Sequence, residues 1–98
     1  MKEIREKITE LDEQLLKLLA DRRKLSIEVI KYKELTSSPI RDKDREEELL
    51  STLIKDGKKV GLDANYITKV FYEIIEDSVR LQNHYLVKMD VPETNGKR

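Results

Sequence analysis

The chain of 98 residues is long enough for one domain, at the small end of what folds alone. Its 20 basic and 20 acidic residues cancel, which argues against a nucleic-acid partner, because such binders carry a clear basic excess. The lack of cysteine and the single histidine, His84, exclude a disulfide framework, a thiolate metal site and a histidine cluster, and no apolar run approaches the ~18 residues of a membrane span, so a cytoplasmic protein is expected.

Strong helix formers dominate, and helix breakers sit in only three places: Thr36 to Pro39, Gly57 to Gly61, and from Pro92 onward. This predicts an all-α chain of three helices and a tail. The first helix is expected from Lys2 to Leu35. Its apolar residues Ile4, Ile8, Leu11, Leu15, Leu18, Leu25 and Val29 keep spacings of three, four or seven, the mark of one buried face. Pro39 disfavours helical geometry at Ser38 and helps to end it. Asp42 is placed to cap a short second helix over Lys43 to Asp56, buried through Leu49, Leu50, Leu53 and Ile54, with Gly57 as its stop. Asp63 caps the third helix, which carries Ile67, Val70, Phe71, Ile74, Ile75, Leu81 and Tyr85 and fades after Val87. Residues 1–87 then form the helical domain. Residues 88–98 read as a disordered tail or linker.

A helix of about 33 residues spans roughly 50 Å, whereas a compact domain of this size has a radius of gyration of ~13 Å. The two shorter helices cannot cover so long a stripe. A second copy of the chain is the simplest cover, which predicts a homodimer with the long helices packed together.

Polar residues interrupt the apolar faces. At ~100° per residue, Arg22 and Lys33 share a side with Ile4, Leu11, Leu18 and Val29. On the third helix, Ser78 and Gln82 fall on the line of Ile67, Phe71, Ile74 and Tyr85. Each has an ordinary structural explanation taken singly: an arginine that snorkels or pairs in an interface, a lysine near a helix end, a core hydroxyl, an interhelical amide. Together, two cations, a hydroxyl and an amide facing inward point to a pocket for a polar, anionic ligand, because unpaired buried cations cost several kcal/mol. The start of the second helix adds Asp42, Arg45 and Glu46, where free N–H groups and a positive dipole end suit a carboxylate, although charged first-turn residues are also ordinary helix design. Arg5 lies about 100° off the stripe and passes for a surface residue in its own chain. His84 has no acidic or hydroxyl partner at helical spacing and reads as surface. No nucleophile-and-base set, glycine-rich phosphate loop or metal constellation is present in the sequence, and Glu46 is the one obvious titratable acid near the implied pocket.

At these residues the chain resembles the AroQ-class chorismate mutases, closely so the mutase domain at the N-terminus of bacterial bifunctional P-proteins. The carriers are Arg5 in Ile-Arg-Glu-Lys-Ile, Arg22 in Leu-Ala-Asp-Arg-Arg, Lys33, the run Pro-Ile-Arg-Asp-Lys-Asp-Arg-Glu at 39–46 and Ile-Ile-Glu-Asp-Ser-Val-Arg-Leu-Gln at 74–82. Each string is weak alone; in order, over Ile4 to Gln82, they are specific.

The resemblance implies an intertwined homodimer of three-helix chains with two equivalent sites, working on chorismate without cofactor or metal. It implies that Arg22 grips one substrate carboxylate together with Arg5 from the other chain. Lys33 contacts a carboxylate and the ether oxygen, and Gln82 is the second donor to that oxygen. Ser78 and the helix start at Asp42 and Arg45 hold the other carboxylate, and Glu46 accepts from the substrate hydroxyl. The implied reaction is the Claisen rearrangement to prephenate, in the route to phenylalanine and tyrosine. It needs selection of the compact chair-like conformer and stabilisation of charge on the ether oxygen. Two other readings compete: an isochorismate–pyruvate lyase on the same fold, and a non-catalytic helical dimerisation module with Arg22 and Lys33 in interface ion pairs.

Overall fold

A computed structural model describes residues 1–36 and 41–90, with side chains for all of these except 33–36 and 86–90. The described residues form α1 (Lys2–Thr36), α2 (Lys43–Lys59) and α3 (Ala64–Asp90), with no strand among them. Helix α3 packs against both α1 and α2, which among the described residues make no close backbone contact with each other. No described helix is both long and apolar enough to cross a membrane.

The two predicted caps are in place. Asp42, in extended geometry, accepts a hydrogen bond from the Arg45 N–H at 3.0 Å, and Asp63 accepts from the Tyr66 N–H at 2.8 Å. Each satisfies a donor that the first turn of a helix leaves free. The break expected at Pro39 lies outside the described residues, as do residues 91–98 of the expected tail. Helix α3 continues past the expected end at Val87 to Asp90.

Gly57 does not stop α2. The helix runs on to Lys59, and the stop is Gly61, at φ 91°. The Gly61 N–H bonds back to the Lys58 carbonyl at 3.2 Å, and the Leu62 N–H to the Gly57 carbonyl at 3.0 Å. This paired closure needs a left-handed residue, which glycine adopts without steric cost. Gly57 serves packing instead. A Cβ built there overlaps Cδ1 of Ile67, which with Ile30 is one of the two buried apolar residues among those described. Gly57→Ala gains helix propensity of about 1 kcal/mol but pushes on a side chain with nowhere to go. We expect a net loss of up to about 2 kcal/mol, read as a lower denaturant midpoint. A midpoint at or above the parent's would show that Ile67 can swing aside.

The apolar stripe of α1 is not buried within the chain. Ile4 is 57% exposed, Leu18 63% and Val29 44%. The residues of α1 that meet α3 are those near Ser26 and Ile30, the latter 1% exposed. That flank is rotated by roughly 70° from the stripe centre. Arg22 projects from the stripe itself and is half-buried. The molecule is accordingly elongated, 57 × 33 × 18 Å with a radius of gyration of 17.5 Å, against the ~13 Å of a compact chain of this length. The expected contacts of α2 are half-made: Leu49, Leu50, Leu53 and Ile54 are partly covered, and none is fully buried.

Candidate functional site

A cleft of about 300 Å³ lies between the second half of α1, the first turns of α2 and the second half of α3. Six of the residues singled out from the sequence border it: Arg22, Asp42, Arg45, Glu46, Ser78 and Gln82. Leu25, Val29 and Leu49 supply apolar wall. The spacing behind this is helical. Ser78 and Gln82 are four residues apart on α3, and Arg22 and Ser26 four apart on α1, so each pair stacks on one face of its helix.

A hydrogen-bonded chain ties these helices together. Arg22 Nη1 donates to Ser78 Oγ at 2.6 Å, and the Ser26 hydroxyl donates to the same oxygen at 3.0 Å. Gln82, only 6% exposed, donates through Nε2 to the Ser26 carbonyl at 2.8 Å. One N–H of that amide is thereby spent and the other remains. Arg22 is half-buried and, among the described residues, has a hydroxyl partner but no carboxylate within ion-pairing distance. A half-buried cation held by a neutral hydroxyl keeps most of its pull on an incoming anion.

At the mouth, the Asp42 carboxylate already accepts from the Arg45 N–H, so what this helix start offers an anion is main-chain N–H and the Arg45 guanidinium. Glu46 Oε1 accepts from Arg41 Nη2 at 2.9 Å, and the same nitrogen reaches Glu76 Oε2 at 2.6 Å. The bond to Arg41 holds the Glu76 carboxyl below its usual range, and the bonds to Glu76 and then Glu46 push the Arg41 guanidinium up. Nearby, Arg23 makes a two-point bridge to Asp77, at 2.9 and 2.6 Å, which lowers the Asp77 pKa.

A carboxyl whose folded pKa is depressed adds stability above its unfolded pKa and loses it as pH falls toward the folded one. For Asp77 that window lies below about pH 4. Arg23→Ala should therefore melt slightly lower than the parent at pH 6, with the gap narrowing as pH falls below about 4. A gap that does not change over that range would mean the bridge contributes nothing.

One predicted site residue stands apart, and the side chain of another is not among those described. Arg5 is exposed near the far end of α1, 17 positions and roughly 26 Å of helix from Arg22. Lys33 is on the last turn of α1, and its side chain lies outside the described residues. His84 is exposed, as expected.

With this geometry in hand, the chain can be set beside known proteins. Residues 4–83 match the family described as chorismate mutase type II. The chain belongs to that family. It is 57% identical over 83 residues to the bifunctional chorismate mutase/prephenate dehydratase of Escherichia coli strain K12, covering 85% of this chain and 22% of that protein. A protein of the same name from Enterobacter agglomerans is 51% identical over 85 residues. The chorismate mutase of Methanocaldococcus jannaschii is 38% identical over 84 residues, 86% of this chain and 85% of that protein. The chain thus spans about a fifth of the bifunctional relatives and most of the single-function one. The matched region takes in every residue that borders the cleft.

Two residues of the site escaped the sequence reading. Ser26 is 7% exposed and joins Arg22, Ser78 and Gln82 through its hydroxyl and carbonyl. Its signal was a hydroxyl four residues from both Arg22 and Ile30, one position beside the stripe. Arg41 was noted only as part of a string, because its partner Glu76 is 35 residues away and nothing local betrays the pairing.

Proposed function

We propose that this chain is a chorismate mutase, converting chorismate to prephenate by an intramolecular rearrangement in which the ether C–O bond breaks as a C–C bond forms. The carrying observation is the cleft itself: a half-buried Arg22 without a carboxylate partner among the described residues, facing Ser78, Gln82 and the start of α2, in a chain of the mutase family. Such a cleft suits a compact molecule with two carboxylates. The mutase names of the relatives favour this reaction over the lyase.

In this reading Arg22 takes one carboxylate, while Ser78, Arg45 and the main chain at Asp42 take the other. Glu46 accepts from the ring hydroxyl through acceptor capacity that Arg41 leaves unused. Gripping both carboxylates selects the folded, chair-like conformer and brings the two carbons to bonding distance. As the ether bond lengthens, negative charge grows on its oxygen. The second N–H of Gln82 and the ammonium of Lys33 meet it, an electrostatic gain of a few kcal/mol per donor. No proton need be transferred. The chemistry calls for no cofactor.

The same reading makes the protein a homodimer. The exposed stripe of α1 supports it, since each of those side chains is worth ~1.5–3 kcal/mol when fully covered. So does the distance of Arg5 from Arg22, which an antiparallel partner helix would cancel by delivering its own Arg5 to this cleft. Residues 1–87 as the catalytic domain and a cytoplasmic location belong to the same proposal.

The test is loss of chorismate absorbance in the ultraviolet, with prephenate identified by its acid conversion to phenylpyruvate. Saturable turnover establishes the function. Pyruvate released from isochorismate, with chorismate untouched, would make it a lyase. No activity on either, with no rise in melting temperature on adding a bicyclic dicarboxylate mimic of the transition state, would leave a dimerisation module.

A further inference from the structure

Glu46 stands in a wall between two spaces. On one side it borders the cleft. On the other it borders a hollow of about 160 Å³ between α2 and α3, and there it meets Arg41 and Glu76. Arg41 does not line the cleft; it grips Glu46 from behind. Its Nη2 donates to Glu46 on α2 and to Glu76 on α3, so one guanidinium ties the first turns of α2 to the middle of α3.

We propose that Arg41 is a positioning residue for the cleft, fixing the direction in which the Glu46 carboxylate faces a bound hydroxyl. This rests on the reading of the cleft as a chorismate site. Three physical points support it. A glutamate side chain has three free torsions, and one left unheld at a cleft mouth spends its time in water. Glu46 and Glu76 converge on one nitrogen, so without that charge they repel and Glu46 swings outward. The held atom is Oε1, which leaves the other oxygen to accept from the ligand.

The geometry also says which replacement should suffice. Both bonds leave one nitrogen, and among the described residues the buried Arg41 Nε has no partner. Among the described residues, then, Arg41 works through one nitrogen rather than its planar fork, so a point charge can replace it even though the lysine ammonium stands one bond short of Nη2. Arg41→Lys exchanges the idle Nε for a methylene and keeps a donor for both carboxylates.

Steady-state kinetics on chorismate with the full chain test this. A contact to the hydroxyl acts in ground and transition states alike, so Arg41→Ala should raise KM by roughly tenfold and leave kcat within about threefold. Arg41→Lys should return KM to near the parent value. In a Glu46→Gln background, Arg41→Ala should add little, because the group it positions is already changed. A merely structural Arg41 would instead lower kcat at constant KM, through a smaller folded fraction, and by the same factor in both backgrounds. That result, or an Arg41→Ala enzyme with unchanged KM, overturns the proposal while the mutase reading stands. If Arg41→Ala does not fold, Glu76→Gln, which keeps Arg41 but weakens its anchor, should raise KM in the same direction; an unchanged KM there overturns it equally. A parent protein without turnover on chorismate would instead overturn the functional reading, and this role with it.

Discussion

Arg22→Ala should lower kcat/KM on chorismate by about two to three orders of magnitude, the cost of truncating one partner of a largely desolvated charge pair, ~3–4 kcal/mol. The size follows from what Arg22 lacks. Its hydrogen-bond partner among the described residues is the neutral Ser78 hydroxyl, and the Asp77 carboxylate, which acts on it from beyond ion-pairing distance, is already held by Arg23, so much of its charge is free to meet an anion. Stability should move far less. The mutation removes one hydrogen bond, worth about 1 kcal/mol, and also relieves a half-buried cation. Ser78 keeps its bond from Ser26 at 3.0 Å, so its oxygen is not orphaned. Parallel loss of activity and melting temperature would mean that Arg22 is a structural residue. An enzyme within a fewfold of the parent would mean that the substrate carboxylate binds elsewhere.

The second large effect is a recovery. Arg5→Ala and Arg22→Ala should each be nearly inactive alone. Unfolded together and refolded, they should regain roughly a quarter of parental activity, since half the dimers are mixed and each mixed dimer has one intact site. The expectation comes from length. Within one chain, 17 positions of helix hold Arg5 away from the Arg22 side chain, and no bend of α1 brings them together. An antiparallel partner helix, laid along the exposed stripe from Ile4 to Val29, would bring its own Arg5 to the cleft. No recovery from a mixture shown to have exchanged subunits would exclude a shared site. A monomer on a sizing column would exclude it as well.

What was legible in the sequence was what neighbours along the chain decide. Three helices could be read because the apolar residues of α1 and α3 recur every three or four positions. Asp42 and Asp63 could be placed because a cap acts on an N–H three residues away. The cleft showed itself as a fault in the pattern: Arg22, Ser78 and Gln82 stand where the period demands apolar side chains, and all three border one space. Family strings then added roles for Arg5 and Glu46 that no periodicity contains.

Tertiary structure decided the rest, and for one reason: those features depend on residues far apart in the chain. Two glycines could have ended α2, and local preference does not separate them. The approach of Ile67 keeps Gly57 inside the helix, while the backbone at Gly61 turns left-handed. The stripe of α1 forecast a buried face, yet within one chain α3 covers the neighbouring flank at Ser26 and Ile30. The pairings of Arg41 with Glu76 and of Gln82 with the Ser26 carbonyl span 35 and 56 residues. Sequence alone thus determined that there are three helices, roughly where they lie, and which residues are out of place. Only the packing of α3 against α1 and α2 decided which misplaced groups meet, because hydrogen bonds of under 3.5 Å between separate helices are set by how the helices cross.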